Sequence, residues 1–277
     1  MRKQWLGIRQ FSMYYIVVWF FGLCLLCMPK EVYAQAFSEN VKYVKNEKAM
    51  LKDMIRNMKQ HKLQMAYCYP GIETDFAAYR KQSASYTTFF DQLIKYDGYI
   101  TGVVSGCCIT VKGEDEKYVL FQFGYLTTKK QERMIDKKVR KIVKRIGKGS
   151  NAQKAKRIHD YLISHMKYDT KYYSPYDAFA KGKGMCMAYA LAYQRLMQET
   201  GIPCVYVKGK NHVWNLVKIG KYWYNVDVTW DDRKNGRYRY FLKSDRDFYG
   251  HKRPKSKYLS SLKMAKKSYF VNSLKYQ

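Results

Sequence analysis

Leu51, Met54, Ile55 and Met58 recur at helical spacing, and so do Tyr86, Phe89, Phe90, Leu93 and Ile94. These two runs predict amphipathic helices, separated by Tyr67–Glu73 with its Pro70-Gly71 turn signal. After Gly98 the period changes. Tyr99–Val104 and Cys107–Val111 predict extended chain, the polar cluster at 112–116 a turn, and Tyr118–Phe123 the second arm of a hairpin. Ile135, Val139, Ile142, Val143 and Ile146 then form a helical stripe that Gly147 ends, with Lys and Arg on the opposite face. Asn151 is the expected cap of the next helix, whose buried side would be Ala155, Ile158, Leu162 and Met166. His159 and His165 on that helix read as ordinary helix residues.

Lys181-Gly-Lys-Gly-Met-Cys186 is a Gly-rich loop that opens into a helical pattern with Ala188, Leu191, Ala192 and Leu196 inside and Gly201 and Pro203 at its end. Cys186 therefore falls at a helix N-terminus, where unpaired N–H groups and the macrodipole favour a thiolate. Its own N–H would face an oxyanion forming on an attacked carbonyl. Three extended runs follow: Ile202–Gly209, His212–Ile219 and Tyr222–Thr229, the last two joined by a Gly220-Lys221 turn. If Ile219 faces Tyr222, paired numbers sum to 441, and His212 and Asp227 become diagonal neighbours on one face, roughly 7–8 Å apart at the backbone. A turn at Ile219-Gly220 would place them directly opposite, again on one face; only an odd loop length would part them. A carboxylate accepting the imidazole Nδ1–H orients the ring and leaves Nε2 to take a thiol proton. Cys186, His212 and Asp227 are thus the candidate catalytic residues.

Composition narrows the setting. With 47% hydrophobic residues, 28 Tyr and only 5 Pro, disordered and collagen-like classes are excluded. Arg2, Lys3 and Arg9 precede an apolar stretch from Phe11 to Met28, and Ala34 or Ala36 offers a cleavage site, so residues 1–34 read as a signal peptide. An uncleaved anchor is the alternative reading of the same stretch. A lipoprotein reading at Cys27 meets Leu26 where a small residue is wanted. Removing residues 1–34, which hold four cations and one acid, lowers the net charge of +30 to about +27. An exported chain of that charge is expected at the cell surface or wall, in contact with anionic wall polymers or membrane headgroups. No nucleic-acid motif accompanies the charge, and basic residues that merely solubilise helix faces are the blander reading. Five Cys remain beyond residue 34, an odd number that leaves a free thiol; four could pair in three ways, although adjacent Cys107 and Cys108 rarely bond each other. No Cys or His spacing suits a structural metal, and no cofactor motif is present in the sequence.

Gly-Met-Cys-Met-Ala-Tyr-Ala, Gly201-Ile-Pro-Cys-Val-Tyr-Val, Asn211-His-Val-Trp-Asn, Trp223-Tyr-Asn-Val-Asp-Val-Thr-Trp-Asp-Asp and Tyr240-Phe-Leu-Lys-Ser-Asp together resemble the core of the transglutaminase-like superfamily, as found in exported bacterial proteins. The resemblance runs from about Ile158 to about His251. It implies an α+β, papain-like fold with the nucleophile at a helix N-terminus packed on an antiparallel sheet. It further implies Cys186 as nucleophile, His212 as general base and acid, and Asp227 as the residue that orients His212. One position departs from the pattern: Ala188 stands where these proteins usually have Gly two residues after the nucleophile; its methyl could crowd a substrate, but Ala is the smallest replacement and suits helical φ/ψ, so the departure is tolerable. Trp214, Trp230 and the tyrosines of 172–176 are candidate wall residues. The expected organisation is a signal at 1–34, a mixed α/β region at 35–127 and the transglutaminase-like domain at 128–277. The expected activity is thiol-dependent acyl transfer on amide bonds of a protein or peptide substrate, with peptidase, amidase, deamidase and cross-linking outcomes open. The alternative from another class is a basic binding module with a vestigial triad. The sequence leaves the oligomeric state open.

Overall fold

The computed structural model describes residues 16–17, 41–81, 86–112, 117–232 and 238–270. Apart from Ile16–Val17, the expected signal segment lies outside the described residues, as do residues 113–116 of the expected hairpin turn. Among the described residues no helix is long and apolar enough to cross a membrane.

The N-terminal layer is a five-stranded sheet of β1 (Ile16–Val17), β2 (Val41–Tyr43), β3 (Gln64–Cys68), β4 (Val104–Lys112) and β5 (Tyr118–Tyr125), in the order β1-β4-β5-β3-β2. The expected hairpin is β4 with β5, in a register that sets Cys107 against Phe123 and Ile109 against Phe121. β2 and β3 pair in parallel. Both periodic runs form helices: α1 (Glu47–Lys59) buries Met50, Leu51, Met54, Ile55 and Met58. The Pro70-Gly71 turn leads into α2 (Ile72–Lys81), and α3 spans Tyr86–Tyr96.

One expectation is overturned between α3 and β4. Gly98–Gly102, overlapping the Tyr99–Val104 segment read as extended, is a short helix, α4, because Asp97 caps it by accepting hydrogen bonds from the N–H groups of Tyr99 and Ile100. All five residues of α4 are buried, so no polar face exists to reveal a helical period.

The second half follows the sequence more closely. α5 (Lys129–Ile146) starts with a Thr128–Gln131 capping box and ends at Gly147, whose φ of 72° suits glycine. α6 (Asn151–His165) is capped by Ser150 rather than Asn151: the Ser150 hydroxyl accepts from Gln153 N and the Gln153 side chain returns a bond to Ser150 N. After the two-residue strand β6 (Lys167–Tyr168), α7 (Pro175–Lys181) and β7 (Lys183–Gly184) lead into α8 (Cys186–Glu199). β8 (Cys204–Lys208), β9 (Val213–Ile219) and β10 (Tyr222–Val226) form an antiparallel sheet in the order β10-β9-β8. Ile219 faces Tyr222, the first of the two registers the sequence allowed. The third extended run stops early, because Asp227 caps a four-residue helix, α9 (Val228–Asp231). A C-terminal segment containing α10 (Lys257–Ser261) covers the β10 edge through bridges at Asn225–Lys243 and Trp223–Met264.

α8 is the central element. It packs on β8 and β9 and is flanked by α5, α6 and α7. The core on one side of it joins α5, α6, β9 and β10 through Ala188, Tyr189, Ala192, Tyr193 and Leu196. On the other side, Cys186, Met187, Ala190 and Leu191 belong to a cluster that otherwise consists of N-terminal-layer residues, together with Tyr206 and Val213. Fully burying each Leu or Met of this kind stabilises the fold by about 1.5–3 kcal/mol.

Candidate active site

The loop ahead of Cys186 is held by main-chain hydrogen bonds to the β6 region: Lys167 N to Gly182 O, Asp169 N to Gly184 O, and Met185 N to Tyr172 O at 2.7 Å. Cys186 is the first residue of α8, and the N-cap Met185 makes no side-chain capping bond. The first-turn N–H groups are therefore left to serve another acceptor. On the sheet side, Asn215 Nδ2 donates to Ala190 O at 3.0 Å, which ties β9 to α8 beneath the site.

His212 lies one residue before β9 and Asp227 one residue after β10, so the predicted diagonal is realised at the sheet end. His212 Nε2 donates to Asp227 Oδ2 at 2.6 Å. This corrects the expected ring orientation, in which Nδ1 would meet the carboxylate. Across a diagonal, the distal nitrogen is the one that reaches the carboxylate, which leaves Nδ1 as the ring nitrogen that can serve Cys186, a group close enough to help raise the His212 pKa. Burial opposes a charged His212, but the bonds to Asp227 and Cys186 and their charges prevail and push its pKa up to about 9. Asp227 is fully buried; burial raises its pKa, while hydrogen bonds from His212 and His251 more than offset this and hold the carboxyl below its usual range. The structure thus brings the three predicted residues together.

The tryptophans expected as wall residues flank His212, with the Trp230 ring 5.0 Å and the Trp214 ring 6.3 Å from the His212 ring. The Tyr172–Tyr176 stretch meets the site through the main chain at Tyr172. Ala188 does not crowd the site. It is fully buried with its methyl toward Gly184, where a Cβ would stand only 2.3 Å away. None of the described cysteines is in a disulfide, so none of the three pairings occurs. Burial pushes the thiols of Cys107 and Cys204 up, which keeps them protonated and unreactive.

His251 is the site residue that the sequence reading missed. Its Nε2 donates to Asp227 Oδ2 at 2.8 Å, from an irregular segment where no periodicity marks it. His212, Asp227 and His251 offer three donor atoms within 4.8 Å of one another, a spacing that a metal ion could use. All three atoms are already engaged with one another, since Oδ2 accepts from both rings. The other helix histidines behave as expected of structural residues: His165 bonds Tyr161 O, and His159 lies buried between Asp160 and Asp231.

The family model described as the Transglutaminase-like superfamily matches residues 140–228, a segment that includes Cys186, His212 and Asp227 and stops short of His251. No curated protein matches. Among solved structures, a crystal structure of a TGase is similar at 16% identity and TM-score 0.35, over 69% of this chain and 59% of that one. A crystal structure of menin that reveals the binding site for Mixed Lineage Leukemia (MLL) protein is similar at 10% identity and TM-score 0.34, over 74% of this chain and 42% of that one. The chain thus spans 59% and 42% of these two proteins, and at such scores neither likeness carries weight.

Proposed function

With residues 140–228 belonging to the transglutaminase-like superfamily, we propose that the protein is a thiol-dependent acyl-transfer enzyme acting on amide bonds of a protein or peptide. The observation that carries this reading is the position of His212: its Nε2 lies 2.6 Å from a buried carboxylate, and the thiol at the start of α8 is near enough to help raise its pKa.

In this mechanism the proton of Cys186 passes to His212 Nδ1, and Asp227 stabilises the imidazolium. The thiolate attacks the carbonyl carbon of a carboxamide, and the oxyanion meets the N–H groups at the start of α8. The C–N bond breaks as His212 returns its proton to the departing nitrogen, releasing ammonia or an amine and leaving a thioester on Sγ. Water or a second amine then attacks the thioester; His212 takes the incoming proton and returns it to sulfur. Water yields a carboxylate and an amine yields a new amide. Hydrolysis is the preferred outcome of this reading.

The test is site-resolved alkylation of Cys186 by iodoacetamide against pH, in wild type and in the His212→Ala, Asp227→Ala and Cys186→Ser variants. Wild type should react at pH 6–7 well above the rate of a free thiol, whose pKa is about 8.5. His212→Ala should confine the reaction to higher pH, Asp227→Ala should do so more mildly, and Cys186→Ser should abolish labelling there. A wild-type Cys186 that reacts slowly and ignores the His212 change would overturn the enzymatic reading in favour of a basic binding module.

A further inference from the structure

Asp227 is shared. Its Oδ1 accepts from Trp230 N at 3.1 Å, while its Oδ2 accepts both from His212 at 2.6 Å and from His251 at 2.8 Å. His251 comes from the irregular chain between the 3-10 turn Asp245–Asp247 and α10, yet its side chain is only 2% exposed. The ring lies in an aromatic cage: stacked on Phe248 at 3.8 Å, tilted against Trp230 at 4.2 Å, and edge-on to Trp214 at 5.0 Å, with Tyr240 at 5.6 Å. Its Nδ1 lies 3.0 Å from Tyr249 O, which fixes the ring about its own axis. An apolar ring would fill such a cage without the cost of burying two polar nitrogens, so the imidazole is held there for what it bonds.

We infer that His251 is a positioning residue for the proposed reaction: it pins the Asp227 carboxylate with a second hydrogen bond and draws part of that carboxylate's charge away from His212. One oxygen accepting from two rings gives less to each than it would give to one. Among the described residues, the charged and titratable groups facing this cluster are Cys186 from α8, Asp227 after β10, Asp231 from α9, His212 before β9 and Tyr240. Of these, His251 bonds only Asp227, so its influence on the thiol runs through His212.

The inference rests on the reading of Cys186 and His212 as an ion pair, and its test separates the two. Iodoacetate, an anion, reacts fastest while the His212 imidazolium stands beside the thiolate, so its rate should fall as His212 loses its proton. The rate at Cys186 is measured against pH on the full chain, with a chelator present, for wild type, His251→Phe and His251→Gln. His251→Phe keeps a ring in the cage and deletes the donor; His251→Gln returns an amide donor. The alkaline fall should move up by about half to one pH unit in His251→Phe and by less in His251→Gln, because Asp227 then serves His212 alone. An unmoved fall in a cooperatively folded His251→Phe protein overturns the inference and leaves His251 a packing residue. Should His251→Phe not fold, the decision passes to a histidine-selective NMR titration of the His212 ring in wild type and His251→Gln: a raised midpoint supports the inference and an unchanged one overturns it. The same titration decides if wild-type Cys186 shows no such pH profile at all, an outcome that defeats the enzymatic reading separately.

Discussion

Gly184 and Ala188 are a pair in which one residue's missing side chain makes room for the other's methyl. A Cβ at Gly184 would stand 2.3 Å from that of Ala188, far inside contact distance, and 3.4 Å from the Met166 methyl, in ordinary contact. Gly184→Ala should cost about 1–3 kcal/mol, as overpacking does. Because residue 184 lies two positions before Cys186, the relief should shift Cys186 and slow its alkylation. Chemical denaturation and the labelling rate check both; a variant within about 0.5 kcal/mol of wild type would show that the loop yields freely. The sequence marked Ala188 as a tolerable departure whose methyl could crowd a substrate. Helix periodicity gives the face of a residue, but not which neighbour lacks a side chain to receive it. The same limit applies to His212: register placed it beside Asp227, while the choice of ring nitrogen depended on how far the side chain must reach. His251 was beyond any register, since it sits outside helix and strand.

α6 and α9 are joined by His159, whose Nε2 lies 3.1 Å from Asp231 and whose Nδ1 lies 3.2 Å from Asp160, with no exposure to solvent. Burial opposes its charge, but the bonds and charges of Asp160 and Asp231 raise its pKa above the ordinary 6.5. A raised value in the fold means that protonation favours the fold. The contribution is complete below about pH 6.5 and is lost as pH climbs through the folded value. His212, at about 9, has the same sign. Asp160 has the opposite one: burial raises its pKa, but hydrogen bonds from His159 and Lys156 bring it from 3.8 to about 2, so its contribution is complete above about pH 4 and is lost toward pH 2. The thermal midpoint should therefore be highest between about pH 4 and 6.5 and decline toward pH 9. His159→Gln should lower the plateau and flatten that decline; an unchanged slope would remove His159 from this account. At this scale α5, α6, α8 and the β9–β10 hairpin were legible, because each has a polar and an apolar face or a turn signal. α4 and α9 were not, because both are short, and each is set by an Asp cap rather than by a period.

The whole chain reads in sequence as a region of unknown role followed by a catalytic domain, but its packing is continuous. Cys186, Met187, Ala190 and Leu191 of α8 share a core with Met54, Phe89, Leu93 and Ile100 of the N-terminal layer. Asp97, the cap of α4, also bonds Lys59 and the Gln198 side chain of α8. A fragment of residues 128–277 should accordingly expose one face of α8 and fail to unfold cooperatively, whereas the full chain should show a single transition. Calorimetry of the two decides, and a cooperative, soluble fragment would show that the layers fold independently. Composition could not reveal this, because hydrophobic content says how much surface is buried and not against what. Asp227 is where the halves of the site converge: its carboxylate caps α9, orients His212 and receives His251. Rotation of that carboxylate would break three bonds belonging to three segments of chain. For the proposed reaction this means, in kinetic terms, that the freedom of Asp227 is surrendered once, when the chain folds, and none of its reorganisation is left to be done at each turnover.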